Sequence, residues 1–201
     1  MGSLRKVPRR LSLRQIDEEV QKFFRGNKRY NKVPVPIEEI VCKYYGYDIL
    51  PVTNLYEELG MTGFPVPHKK EIYIDKAIFE NTSPNRFNST LAHEVGHLVL
   101  HREFISKFND ENEVESFLTS FENDPEDLAW LEKQAWTYAR YLLLPTHHFN
   151  RKLTDLIEEK RMSNFSIRDI SALLKIPIAR YFEVADEMTK IRIQMYLENG
   201  I

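Results

Sequence analysis

The segment HEVGH, at residues 93–97, combines residue types that can bind and use a metal ion. If this segment is helical, His93 and His97 lie one turn apart on the same face, so both imidazoles can bind one ion. Glu94 then lies beside the ion without being forced to bind it. There it can take a proton from water and later pass it to a leaving amine. The spacing therefore predicts a metal site capable of hydrolysing amide bonds.

A catalytic zinc ion needs a third protein ligand and one position left open. Glu132 is the predicted third ligand, because it falls within the apolar stripe of a later helix, where an unpaired carboxylate is costly. The apolar stripe around Glu132 comprises Leu128, Ala135, Ala139, Leu142 and Leu143. The alternative is a salt bridge between Glu132 and a buried arginine such as Arg86.

His101 lies about 12 Å along a straight helix from His93, too far to share the ion. We therefore expect His101 either to contact a ligand or to serve in packing.

Gly96 is an unusual residue for the middle of a helix. A glycine inside a helix costs about 1 kcal/mol relative to alanine. In the predicted helix Gly96 faces away from the two histidines, where the missing side chain lets another element approach closely. The sequence therefore predicts a tight helix contact at Gly96.

Helices and a small sheet must position these residues. Ser83 and Pro84 are a good start for the motif helix, and a long helix should run from 124–125 to Leu144, before Pro145. Between 47 and 79, short extended segments favour a small antiparallel sheet that precedes the motif helix. The predicted fold class is therefore α+β, mostly helical.

The remaining chain is predicted to form one domain with a basic extension. Residues 1–15 carry five arginines and lysines and no acid, which indicates a basic N-terminal arm. Residues 16–201 should form a single domain, whose C-terminal region is helical from about 149 to 198 with a break at Pro177. The segment 109–127 is rich in acids, which favours a solvated connection.

Composition narrows the class of protein. The formal net charge is -2, which gives no overall attraction to nucleic acids or anionic membranes. Cys42 is the only cysteine, so no internal disulfide can form, which fits a reducing compartment. No apolar run is long enough to cross a bilayer, and the N-terminus lacks the apolar core of a signal peptide. We therefore expect a cytoplasmic protein that does not contact membranes. Nothing in the sequence indicates a particular oligomeric state.

With these residues in view, the chain resembles the ImmA/IrrE family of zinc metallopeptidases over roughly residues 36–185. The resemblance is carried by NRFNSTLAHEVGHLVLH at 85–101 and EKQAWTYARYLLLP at 132–145, a pairing far more specific than HExxH alone. It implies a zincin-like domain in which His93, His97 and Glu132 bind the metal and Glu94 is the general base. The chain departs from the family pattern at Ser89, at residues 136–138 and in the long acidic connection.

The resemblance also implies a function. Members of the family are typically encoded near repressors of phages or mobile elements, and are thought to cleave a helix-turn-helix repressor and release its genes. The expected activity is therefore a zinc endopeptidase, with manganese as a possible metal, acting on a repressor encoded nearby. A peptide could reach the metal by adding to an exposed strand edge of the small sheet. The alternative is a non-proteolytic zinc-binding regulatory protein that acts through protein contacts.

Two further interpretations concern other residues. Tyr138, His147 or His148 could stabilise an oxyanion, although both histidines also fit an ordinary surface position. Residues 166–188 resemble a helix-turn-helix faintly, but the segment from Pro177 to Met188 carries a net charge of -2, which opposes approach to phosphates. We therefore expect no direct binding of nucleic acid, and packing against the domain for this segment.

Overall fold

The computed structural model describes residues 9–80, 84–106, 116, 119 and 125–200. Within these residues the chain is mainly helical and contains one small sheet, which confirms the predicted α+β class. The strands are β1 (Asp48–Val52), β2 (Gly63–Val66) and β3 (Glu71–Asp75). The helices are α1 (Leu13–Gly26), α2 (Ile37–Glu39, continued by the π-helical residues Ile40–Tyr45), α3 (Leu55–Leu59), α4 (Lys76–Phe79), α5 (Pro84–Leu100), α6 (Arg102–Ile105), α7 (Pro125–Leu143), α8 (Thr146–Glu159), α9 (Ile167–Phe182) and α10 (Asp186–Asn199).

The sheet is mixed, so the predicted antiparallel sheet is wrong in one of its two pairings. The strand order is β1-β3-β2; β2 pairs with β3 antiparallel, as expected, but β1 pairs with β3 in parallel. The chain reverses direction at α3, between β1 and β2, and again at the turn 67–70, between β2 and β3, so β3 runs in the same direction as β1. The edge strand β2 packs against α5, and all four of its residues are buried. The exposed strand edge expected beside the motif is therefore absent at β2.

The motif helix α5 lies in the core and packs against α7, β2 and β3. Its buried apolar residues join the side chains of the sheet and of α1 in one continuous cluster. Helix α1 begins at Leu13, inside the predicted arm, because Ser12 and Gln15 form a reciprocal capping box. The first eight residues of the arm lie outside the described part of the chain. The buried face of α1 is formed by Ile16, Val20, Phe23 and Phe24.

The C-terminal region is helical as expected, but the predicted break at Pro177 is wrong. Helix α9 continues through Pro177 and ends at Phe182, where Glu183 adopts a left-handed backbone conformation. Proline leaves the carbonyl four residues earlier without its helical donor. That residue is Leu173, whose side chain is exposed, so water can satisfy the carbonyl. Burial of Leu174, Ile178 and Phe182 along one face favours the continuous helix.

Two other sequence predictions can be compared only with the described residues. Most of the acidic connection at 109–127 lies outside them. Its last residue, Asp127, is buried rather than solvated, and its Oδ1 lies 3.6 Å from a guanidinium nitrogen of Arg10. No helix in the described part of the chain combines the length and apolar character that a bilayer crossing requires.

Candidate metal centre

Three side chains from two helices converge on one point. Helix α5 supplies His93 and His97, whose Nε2 atoms lie 3.1 Å apart. Helix α7 supplies Glu132, whose Oε2 lies 3.1 Å from His93 Nε2 and whose Oε1 lies 3.3 Å from His97 Nε2. The predicted juxtaposition of these residues is therefore present in the structure. Glu132 pairs with the histidines, whereas Arg86, the alternative partner, is exposed.

The spacing of these donor atoms fits a small divalent cation. In a tetrahedral zinc complex with bonds of about 2.0–2.1 Å, neighbouring ligand atoms lie about 3.3 Å apart. The three observed separations, 3.1, 3.1 and 3.3 Å, are close to that value. Two imidazole nitrogens and one carboxylate are also a donor set that catalytic zinc sites use. The residues present therefore fit a bound metal.

Glu94 lies beside the cluster and is almost fully buried, with 2% of its surface exposed. Its carboxylate and the rings of His93 and His97 offer ligand atoms that all lie within 4.8 Å of one another. Burial raises the pKa of Glu94 to about 8, and Glu132 acts in the same direction, while His97 opposes both. A divalent cation nearby would favour the ionised form. Glu94 is therefore a carboxyl group whose proton affinity is high enough to accept a proton.

Glu132 lies at the open side of the cluster. Its side chain is 39% exposed, compared with 7% for His93 and 12% for His97, so the stripe of α7 buries it only in part. Burial acts to raise the pKa of Glu132, but the hydrogen bonds from His93 and His97 outweigh it and hold the pKa below its usual value. Glu132 is therefore ionised near neutral pH, and solvent can reach the centre on its side.

His101 contacts the cluster from behind, without joining it. It follows the last residue of α5, is buried, and places its Nδ1 3.1 Å from Nδ1 of His97. When the Nε2 of a histidine binds a metal, its other nitrogen carries a proton and donates it to a neighbour. Burial lowers the pKa of His101 to about 3, so its ring is neutral and one nitrogen can accept that bond. Of the two roles predicted for His101, the structure favours contact with a ligand.

Gly96 brings the two helices that carry the cluster together. A Cβ atom at this position would lie 2.7 Å from the carbonyl oxygen of Ala135 and 2.9 Å from its Cα. Both atoms belong to the backbone of α7, so no side-chain rotation could relieve the contact. The predicted close approach at Gly96 is confirmed. Gly96 directly precedes His97 on α5, and Ala135 is three residues after Glu132 on α7, so the contact fixes the two helices close to the cluster.

We expect Gly96→Ala to destabilise the fold by about 1–3 kcal/mol, because the added methyl group overpacks the contact between α5 and α7. This loss should exceed the gain of about 1 kcal/mol that alanine gives a helix over glycine. Urea denaturation followed by circular dichroism measures the change. Gly26→Ala is the matched control, since no heavy atom lies within 4 Å of its Cβ position, and it should be neutral or stabilising. A Gly96→Ala protein as stable as the native one would contradict the close approach.

The predicted oxyanion helpers are not gathered at the cluster. Tyr138 is 1% exposed and hydrogen-bonds the side chain of Tyr45, the last residue of the π-helical continuation of α2. This position on the core side of α7 argues against a role at the metal centre. His147 and His148 lie at the start of α8, with their ring centroids 5.7 Å apart. The contacts of the described residues give neither histidine a link to the cluster.

Two neighbours of the site were not predicted from the sequence. The Trp136 ring packs on the His93 imidazole, with ring centroids 4.3 Å apart. The signal was present, because Trp136 is four residues after Glu132 and thus on the same face of α7. A Cβ at Gly63 would lie 3.1 Å from Glu94 Oε1, so β2 passes directly beside that carboxylate. No local pattern could reveal this contact between β2 and α5.

Comparison with known proteins gives one match. A peptidase family model, described as the IrrE N-terminal-like domain, matches residues 63–194, well over half of the chain. The matched region includes β2, β3, the cluster on α5 and α7, and the C-terminal helices as far as α10. No curated protein and no solved structure gives a significant match.

Proposed function

Because this chain belongs to the IrrE N-terminal-like family of peptidases, we propose that it is a zinc-dependent endopeptidase with a narrow protein substrate. The observation that carries the proposal is the triangle of His93, His97 and Glu132, with the buried Glu94 beside it. Zinc is favoured over manganese because two of the three donors are imidazoles, whereas manganese prefers oxygen ligands.

The four residues divide the work of peptide hydrolysis. His93, His97 and Glu132 would hold the metal, and the contact from His101 orients the His97 ring. A bound zinc ion supplies a Lewis acid that acidifies a water molecule and polarises the scissile carbonyl. Glu94 takes the proton released from the water on a carboxylate oxygen, and then delivers it to the nitrogen of the leaving amine.

The proposed substrate is a helix-turn-helix transcriptional repressor encoded close to this protein. Its cleavage would release the genes that it represses. This part of the proposal is supported by the similarity of residues 85–101 and 132–145 to a family that is thought to act in this way. The open side of the centre at Glu132 offers a route by which an extended segment of such a repressor could reach the metal.

The experiment is to incubate the purified protein with the neighbouring repressor, with zinc or manganese and with or without a metal chelator. We expect one discrete cleavage with zinc, abolished by the chelator and restored by added zinc, with the cut bond identified by mass spectrometry. An intact repressor that forms a stable complex with the protein under all metal conditions would instead support the non-proteolytic regulatory function. An intact repressor without a complex would exclude this substrate.

A further inference from the structure

A cavity of about 330 Å³ is lined by residues of α5 and α7, the two helices that carry the candidate metal centre, and of α10. Trp136 lines this cavity, and its ring also packs on the His93 imidazole. Two other lining residues are neighbours of the site in sequence: Thr90 precedes His93 by one helical turn, and Thr62 precedes Gly63. Arg140 lies eight residues after Glu132 on α7, about 12 Å along the helix. A substrate segment bound at the metal centre would therefore have this cavity within reach of a side chain within a few residues of the cut bond.

Two arginines make the cavity positive. Arg86 and Arg140 line it, and Glu187 is the one carboxylate among its lining residues. Glu187 is compensated in part by Lys190, whose Nζ lies 3.0 Å from Glu187 Oε1. The charges within the cavity and at its rim therefore favour an anionic group over a cationic one.

Arg140 lines this cavity and also a second cavity against α1, and one of its hydrogen-bond donors is unused. Its Nε is buried and has no acceptor among the described residues. Burial lowers the pKa of Arg140 to about 10, and Glu187 opposes the change, so the guanidinium still carries its charge near neutral pH. A buried donor on a cation is costly when it has no partner. An acceptor in the cavity would remove this cost if the Arg140 side chain turned its Nε toward it.

We propose that the cavity is a substrate subsite for an acidic side chain, aspartate or glutamate, and that Arg140 is its specificity-determining residue. A carboxylate can accept two parallel hydrogen bonds from one guanidinium, which provides both affinity and orientation. The inference rests on the proposed peptidase function, because it identifies a residue near the cut bond of the substrate. A preference for a basic side chain, which would pair with Glu187, would contradict the proposal.

The first test is a cleavage profile of the zinc-loaded protein. The probe is a peptide library made by tryptic digestion of a bacterial proteome, and mass spectrometry identifies the residues that flank each cut. We expect aspartate or glutamate to be enriched at one position close to the cut bond. The enrichment should disappear from the cuts that Arg140→Gln still makes. An enrichment of basic residues, or an acidic preference unchanged in Arg140→Gln, overturns the proposal.

The second test measures binding without cleavage, so that failure of the subsite can be separated from failure of the peptidase function. Two end-blocked pentapeptides, Ala-Ala-Glu-Ala-Ala and its glutamine counterpart, are titrated into Glu94→Gln protein and followed by NMR. We expect the glutamate peptide to bind at least about tenfold more tightly, the size of a charge-assisted hydrogen bond. With Arg140→Gln added, the two affinities should become equal. Equal affinities before that change overturn the subsite whatever the cleavage profile shows. Selective binding by the Glu94→Gln protein, together with no cleavage of the repressor or of the peptide library by the native zinc-loaded protein, would refute the peptidase and keep the subsite.

Three control variants separate charge, geometry and folding. Arg140→Lys keeps the charge without the paired donors and should give an intermediate preference. Arg151→Gln removes a positive charge from an exposed position on α8, outside the cavity, and should keep the native preference. If Arg140→Gln unfolds at a lower temperature than the assay, Arg140→Lys and Arg86→Gln carry the test. An acidic preference undiminished in both of these folded variants then overturns the proposal.

Discussion

Glu94→Gln should abolish cleavage of the repressor while leaving the fold and the metal affinity intact. The glutamine amide has the same shape as the carboxylate but cannot accept a proton from water. Loss of a positioned general base typically lowers a rate by about 10²–10⁴-fold. Glu94 is 2% exposed, so replacing it with a neutral group removes a buried carboxylate and should not reduce stability. Single-turnover cleavage rates, with zinc content measured on the same samples, test this expectation.

The matched control for this variant is Glu126→Gln. Glu126 is an exposed glutamate in the first turn of α7, and the Glu126→Gln protein should cleave the repressor at the native rate. Two results would count against the proposed base. One is a Glu94→Gln protein that cleaves as fast as the native one. The other is a variant that loses its zinc together with its activity, because Glu94 would then be acting as a ligand.

Glu132→Ala should weaken zinc binding by more than about 100-fold, since removing even the partner of a ligand costs 10–100-fold in affinity. The carboxylate closes the triangle with the His93 and His97 nitrogens at 3.1 and 3.3 Å, and it supplies the one negative charge among the three donors. Competition with a chromophoric chelator measures the affinity directly and needs no substrate.

Glu126→Ala replaces an exposed glutamate on the same helix; it is the control and should bind zinc like the native protein. If Glu132→Ala keeps the native affinity, the third ligand lies elsewhere in the chain. The histidines should still meet in that variant, because both belong to α5 and do not depend on α7 for their spacing. A metal that binds weakly to the two histidines alone is therefore the expected residual behaviour.

Predictions that depended on one helix agreed with the structure. The four-residue spacing of His93 and His97 requires their rings to meet on one face, and their Nε2 atoms lie 3.1 Å apart. The same geometry kept His101 away from the shared point, and His101 Nδ1 lies 3.1 Å from Nδ1 of His97, the nitrogen that does not face the other ligands. The start of α1 was predicted less well: the arm was expected to extend to residue 15, but the capping box of Ser12 and Gln15 starts the helix at Leu13.

Predictions that depended on strand pairing or on proline were less accurate. Short extended segments do not specify their neighbours, so the parallel pairing of β1 with β3 could not be read from residues 47–79. Proline at 177 predicted a break, but burial of one face of α9 outweighed the single lost hydrogen bond. In both cases, contacts between distant segments decided the outcome.

The residue spacing alone placed two histidines and a base on one helix, because a helix repeats every 3.6 residues whatever surrounds it. It also indicated Glu132, through the cost of a carboxylate in an apolar stripe. The distance between Glu132 and the histidines could not be read from that spacing, because it depends on the contact between Gly96 and Ala135. Tertiary packing likewise created the cavity around Arg140, where residues far apart in the sequence meet. Local geometry follows from the spacing of residues along the chain, whereas these features depend on how separate elements pack.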